Sequence, residues 1–252
     1  MFKNLHEMVE PLVIGNVWDV PSAKIAESVG FSAIGTSSAA IAKNLGKEDG
    51  ENISFEHLLS LVKAMVTATK LPLTVDLESG YGATPEIVAN NIIQLVNAGV
   101  VGVNIEDSVV IDGVRSLRDS ALFGKTLKTV RECIRKEGID VFINVRSDVF
   151  LLDVEQPVSA SIERIKRYEQ AGADGIFLPG INKKDDIKAV VDITSLPINV
   201  MCLPGLPNFS QLKALGVKRI SMGNFVHEAM LTSLSAILLS IKSEQSFEAL
   251  FA

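Results

Sequence analysis

Residues 96–106 read VNAGVVGVNIE: the tail of a helix-like pattern, a glycine, then Val, Asn and Ile alternating like a strand. Gly99 stands where a helix can end in left-handed geometry, which a residue without Cβ adopts at little steric cost. The same junction recurs as AESVGFSAIG (26–35), EQAGADGIFLP (169–179) and KALGVKRISMG (213–223). The chain therefore repeats one helix-to-strand unit of ~30 residues.

Outward from these junctions lie eight strand-like runs. They are LVIGNVW (12–18), FSAIGTS (31–37), LPLTVDLE (71–78), VGVNIED (101–107), VFINVRSD (141–148), GIFLPG (175–180), PINVMCL (197–203) and VKRISMGN (217–224). Helical patterns separate them, such as SFEHLLSLVKAMVTAT (54–69), PEIVANNIIQLVNAG (85–99) and SASIERIKRYEQAG (159–172). In the first of these, Phe55, Leu58, Leu59 and Val62 fall at i, i+3, i+4 and i+7, and Val66 continues the stripe. Val- and Ile-rich strands, each followed by a helix, predict a parallel sheet covered by helices. Eight such units in 252 residues match a closed (β/α)8 TIM barrel, taken here as one domain over residues 1–252. The alternative, a doubly wound open sheet, lacks the G-x-G-x-x-G expected after its first strand.

Composition narrows the partners. The formal net charge is −6, which excludes a broad nucleic-acid-binding surface. MFKNLHEMVEPLVIGN at the start lacks the apolar stretch and cleavage site of a secretory signal. No apolar run reaches the ~18–20 residues that span a bilayer, so no membrane association is expected. Cys133 and Cys202 follow no metal or redox spacing and read as small buried hydrophobes in a reducing cytoplasm. The apolar last helix, Phe225 to about Lys242, is expected to pack on, or exchange with, a partner subunit in a homodimer or homotetramer.

In a barrel of this kind, chemistry sits at the C-terminal strand ends. Strand alternation puts Asp76 and Glu78 on one face of their strand, towards the barrel mouth, and likewise keeps Asn104 with Glu106, and Asn144 with Arg146 and Asp148, each set on one face of its own strand. Thr36, Ser37 and Ser38 end the second strand, and Trp18 and Asp19 the first. A single strand-end acid can be a helix cap or a rim ion pair. Asp76, Glu78 and Glu106 converging opposite Arg146 instead need a compensating charge. Their oxygens suit a hard cation, Mg2+ or Mn2+, and the absence of histidine at these positions argues against zinc. No Ser-His pair supports a hydrolytic triad, and His6, His57 and His227 read as solvated or packing residues.

GNVWDVPSAKIAE, GTSSA, LGKEDGE, DLESGYG, GVNIEDS and NVRSD, in this order, resemble the isocitrate lyase / phosphoenolpyruvate mutase superfamily, and within it the short PEP phosphonomutase-like branch. The resemblance covers nearly the whole chain. It implies that Asp76 binds Mg2+, that Glu78 stands where many members have a second aspartate, and that Glu106 reaches the metal directly or through water. It implies that Ser37, Ser38 and Ala39 hold a substrate carboxylate, and that Arg146 contacts the carboxylate or transferring group. It places Asp49 on a mobile loop near the reacting centre, and Gly80, Tyr81 and Gly82 in the turn beneath the metal, with Tyr81 among the substrate-binding residues. The segment after the fourth strand departs from the family. DSVVIDGVRSLRDSALF (107–123) has neither the Lys-Lys-Cys-Gly-His stretch of the lyases nor the Lys-Thr-Asn-Ser-like loop of the mutase.

The resemblance thus implies a Mg2+-dependent lyase or decarboxylase that acts on a small 2-oxo acid or substituted malate through an enolate of pyruvate. Arg146 would supply a bidentate cation and Asp49 would handle a proton. The same site could instead break or move a P–C bond in a phosphonate, or bind a 2-oxo acid without turnover. Arg115, Arg118 and Asp119 could belong to a closing lid.

Overall fold

The glycine junctions end their helices as the sequence suggests. In the computed structural model, which describes residues 2–251, Gly30, Gly99, Gly172 and Gly216 have φ between 87° and 105°. After each, the chain enters a strand that returns to the sheet.

The strands are β1 (Leu12–Val13), β2 (Gly15–Val17), β3 (Ile34–Thr36), β4 (Leu73–Asp76), β5 (Gly102–Glu106), β6 (Ser108–Ile111), β7 (Val114–Leu117), β8 (Phe142–Arg146), β9 (Gly175–Phe177), β10 (Ile198–Met201) and β11 (Arg219–Ser221). The helices are α1 (Val20–Ser28), α2 (Ser38–Asn44), α3 (Phe55–Ala68), α4 (Pro85–Asn97), α5 (Ser120–Lys136), α6 (Pro157–Ala171), α7 (Lys184–Val191), α8 (Phe209–Leu215) and α9 (Phe225–Glu244). Nine parallel segments form one sheet in the order β1-β11-β10-β9-β8-β5-β4-β3-β2. Its two ends are halves of a single strand: β1 pairs with β11, and after Ile14 the chain pairs as β2 with β3. Ile14 N donates to Ile220 O (2.8 Å) and Gly15 N to Ala33 O (3.1 Å), so one strand closes the eight-stranded barrel.

Alternation divides the side chains sharply. Val75, Val103, Ile105, Ile143, Val145, Val200 and Ile220 point outward into the apolar layer under the helices. The positions between them point inward and are mostly polar: Thr74, Asn104, Asn144, Asn199, Arg219 and Ser221. Asn144 Nδ2 donates to Asn104 Oδ1 (2.9 Å) and Asn199 Oδ1 (3.1 Å), and Asn199 Nδ2 donates to Ser221 Oγ (3.1 Å). A small apolar cluster of Phe2, Leu12, Ile14, Ala33 and Phe142 packs beneath this network, and His6 stacks on Phe142 at 4.3 Å. Helix starts follow their local signals. Asp19 closes a capping box on α1, and Thr84 caps α4 ahead of Pro85.

Several features differ from the sequence reading. Residues 108–117, read as loop, form the antiparallel hairpin β6–β7. Its signal was present: Asp112-Gly113 between apolar strands, with φ of 52° and 76°, is a two-residue turn of the kind that suits strand twist. Cys133 and Cys202 are half-buried free thiols rather than buried ones. The histidines do not differ from that reading: His6 and His227 are buried packing residues, with His227 edge-on to Trp18 and hydrogen-bonded to Asn44, while His57 is exposed. Helix α9 is 20 residues long, with a mean hydropathy of 1.3 over its most apolar window, and so passes the length and composition test for a membrane span. Only His227 of this helix is buried, and Phe225, Met230, Leu234 and Leu238 face outward.

Candidate active site

The C-terminal strand ends open into a cavity of about 180 Å3. Asn16, Ser37, Ser38, Ala39, Asp49, Asp76, Arg146 and Arg219 are among its lining residues. Asp76 ends β4 and points inward, two residues above Thr74. Its amide donates to Thr36 Oγ1 (2.8 Å) and its Oδ2 accepts from Ser38 Oγ (2.9 Å), which fixes the carboxylate. Its Oδ1 is buried without a partner. Burial raises the Asp76 pKa above the usual carboxylate range, with Asp49 reinforcing the shift and Arg146 and Ser38 opposing it. Ser37 serves as N-cap of α2, accepting from Ala40 N.

Glu78 turns away from this cavity. The chain leaves β4 with Glu78 at φ 50°, and its carboxylate accepts from Glu51 N (2.7 Å) and Tyr81 Oη (2.8 Å). Glu51 returns the arrangement, accepting from Ser79 Oγ (2.7 Å) and Tyr81 N (2.8 Å). The two glutamates thus fasten the segment between α2 and α3 onto the 78–82 turn. Burial pushes the Glu78 pKa up to about 8, and the charges of Asp49 and Asp76 add to the shift. Gly80 is required in that turn: at φ 115°, a Cβ would meet Val88 at 2.7 Å.

Glu106 faces two guanidiniums. Arg146 Nη1 lies 2.9 Å from its Oε2, and Arg115 of the hairpin forms an ion pair with its Oε1. Arg146 Nε also donates to Asp148 Oδ1 (2.6 Å), and Arg115 reaches Asp148 (3.2 Å) and Asp49 (3.1 Å). Burial raises the Glu106 pKa to about 7, against the pull of Arg146 and Arg115. Burial works against the Arg146 charge, but Glu106, Asp148 and Asp76 outweigh it and hold its pKa above the ordinary value. Arg115 thereby joins the Asp49 segment to the hairpin, and Gly50 is packed so closely on Val110 that a Cβ would stand 2.8 Å away. Asp107, beside Glu106, has a different task. It is fully buried and accepts from Ser147 Oγ, Tyr168 Oη and Arg164, tying β5, β8 and α6 together.

The structure therefore brings Ser38, Asp49, Asp76 and Arg146 to one cavity, and engages Glu78 and Glu106 with partners around it. Tyr81 is bound to Glu78, and Trp18 and Asp19 serve packing and capping. Among the described residues, no three carboxylate, imidazole or thiol groups stand close enough to hold a metal ion by themselves. The donors still fit a hard cation. Mg2+ keeps several waters and takes one or two carboxylates, and the buried unpartnered Oδ1 of Asp76 is such a ligand. Two participants escaped the sequence reading, Glu51 and Arg219. Arg219 has the same strand parity as Ser221 and could have been placed inside the barrel by alternation; Glu51 ends the LGKEDGE motif, but it lies in irregular chain, where no periodicity assigns it a partner.

A sequence model of the phosphoenolpyruvate phosphomutase family matches residues 2–242. An uncharacterized protein of Mycobacterium tuberculosis is 34% identical over 90% of this chain and 83% of its own length. An oxaloacetate decarboxylase of Bradyrhizobium is 28% identical, covering 91% of this chain and 78% of that protein. A crystal structure from Burkholderia cenocepacia, assigned as a phosphonomutase, superimposes with a TM-score of 0.88 at 37% identity, covering 94% of this chain and 97% of that one.

Proposed function

Because the chain belongs to the phosphoenolpyruvate phosphomutase family, whose members are lyases and mutases, we propose that it is a divalent-metal-dependent lyase or decarboxylase acting on a small 2-oxo acid or substituted malate. The observation that carries this reading is the buried, unpartnered Oδ1 of Asp76 in a cavity shared with Ser38, Asp49 and Arg146. Asp76 would hold Mg2+ or Mn2+, with Glu78 and Glu106 as the acids behind it. When bound, such an ion supplies Lewis-acid stabilisation to an enolate oxygen.

The rest falls to the protein's own groups. The Ser37–Ala39 segment orients the substrate carboxylate, and Arg146, held in plane by Glu106 and Asp148, offers its guanidinium to the part of the substrate that departs. Asp49 stands on the closing segment, where Arg115 holds it for proton transfer. The hydrogen bonds that Glu51 makes with Glu78 and Tyr81 keep that segment down. A second reading, cleavage or transfer of a P–C bond at the same site, draws on the phosphonomutase assignment of the Burkholderia relative. Incubation with Mg2+ and a panel of oxaloacetate, substituted malates and phosphonopyruvate separates the two. Pyruvate without phosphate is expected; phosphate or a rearranged phosphonate supports the second reading. Oxalate binding with no turnover of any compound overturns both.

The same reading makes the protein a cytoplasmic homo-oligomer, with the outward apolar face of α9 covered by a second copy.

A further inference from the structure

Arg219 has no counterion. It is 2% exposed, on β11, pointing into the barrel. Its Nη2 approaches only neutral oxygens, Thr74 Oγ1 at 3.3 Å and Asn104 Oδ1 at 3.5 Å, while Nε and Nη1 have no partner. The contrast with the other arginines turned inward is sharp: Arg115, Arg131, Arg146 and Arg164 each pair with a carboxylate. Among the described residues, none lies within ion-pair distance of Arg219. An unpaired buried cation is costly, so a fold that keeps one has a use for it or a ligand that completes it.

Arg219 lines the cavity, deep in the barrel beside Ile14, Thr74 and Asn104, while Ser38, Asp49 and Arg146 line the same cavity nearer the strand ends. At about 180 Å3 the cavity is of a size for a small ligand such as one short dianion. Burial pushes the Arg219 pKa down to about 9, with Asp76 opposing, so it stays a cation at neutral pH.

We propose that Arg219 is an anion receptor on the cavity floor, and that it takes the far carboxylate of a short dicarboxylate whose other end sits at Asp76 and Ser38. This deepens the function proposed above and rests on it. It also gives the site a second anchor, distinct from Arg146, that selects substrates by length and by charge at both ends.

The experiment is calorimetric titration of the Mg2+-loaded protein with malate and with 2-hydroxybutanoate. These share a 2-hydroxy-carboxylate head, and only malate has the far carboxylate. In the unmodified protein, malate is expected to bind more tightly. Arg219→Met should weaken malate by about 30-fold or more, the scale of losing a buried charged partner, and change 2-hydroxybutanoate less than threefold. Arg219→Lys should recover part of the loss. Equal weakening of both ligands would make Arg219 a general electrostatic support and overturn the proposal. So would malate binding no tighter than 2-hydroxybutanoate in the unmodified protein, a comparison that needs no folded variant. If the unmodified protein binds neither ligand nor oxalate, the functional reading itself fails instead.

Discussion

Asp76 carries two costs at once: its carboxylate is buried, and one of its oxygens is unbonded. A residue kept for stability would not be left in that condition. Replacing Asp76 by Ala should lower Mg2+ affinity by at least about a hundredfold, because few carboxylates are available to replace it. The fold should persist, since Val75 and Leu77 hold β4 from the other face. Titration with Mg2+ and a circular-dichroism melt check the two parts, and full retention of Mg2+ affinity would place the metal elsewhere. At this scale the sequence was partly legible. Strand parity put Asp76 and Arg146 inside the barrel mouth, because alternation is a backbone property. Parity says nothing about χ angles or chain reversal after a strand. Glu78 shares parity with Asp76, yet its φ of 50° swings it onto Tyr81 and Glu51.

At the scale of elements, the junctions and strands were legible because each is specified within about ten residues. Glycine ends the helix, and β-branched residues begin the strand. The hairpin β6–β7 is equally local, with its Asp112-Gly113 turn set between its two strands. What the hairpin does was not legible, since Arg115 meets Asp49 across 66 residues of sequence. Helix α9 poses the opposite case, a pattern fully visible in sequence that little among the described residues covers. Only one of its 20 residues is buried. Light scattering should give a mass of at least two chains. Replacing Leu234 and Leu238 by Lys should yield a folded monomer, because both are about half exposed or more in the isolated chain, at 49% and 57%. A monomeric unmodified protein would leave the apolar face unexplained by self-association.

For the whole molecule, the barrel base makes stability depend on pH. His6 is buried against Phe2 and Phe142, and neither ring nitrogen has a partner. Burial, with Arg219 adding, pushes its pKa down to about 4. The unfolded chain takes up that proton near the ordinary value of ~6.5, so it binds more protons than the folded state between these limits. The stability that His6 contributes is therefore complete above ~6.5 and is lost as pH falls towards 4, by about 3 kcal/mol. Glu78 and Glu106 act in the opposite sense. Their raised pKa values make the folded state the stronger proton binder, so they cost stability as pH rises from ~4.5 towards 7 or 8. Urea unfolding of the unmodified protein and His6→Phe at pH 7, 5.5 and 4.5 separates the two effects. The gap between the proteins should shift in favour of the variant on acidification, and a constant gap would remove His6 from the account.

The apolar layer of this barrel lies between strands and helices, while its interior is a hydrogen-bonded lining of Asn104, Asn144, Asn199 and Ser221. Load-carrying wall and recognition surface thus occupy opposite faces of the same strands. An inward position can change without touching the apolar layer, provided the new polar group keeps its neighbours' hydrogen bonds. Such a scaffold can drift from one small acid to another by changing its wallpaper alone, and an engineer could retune it by the same route.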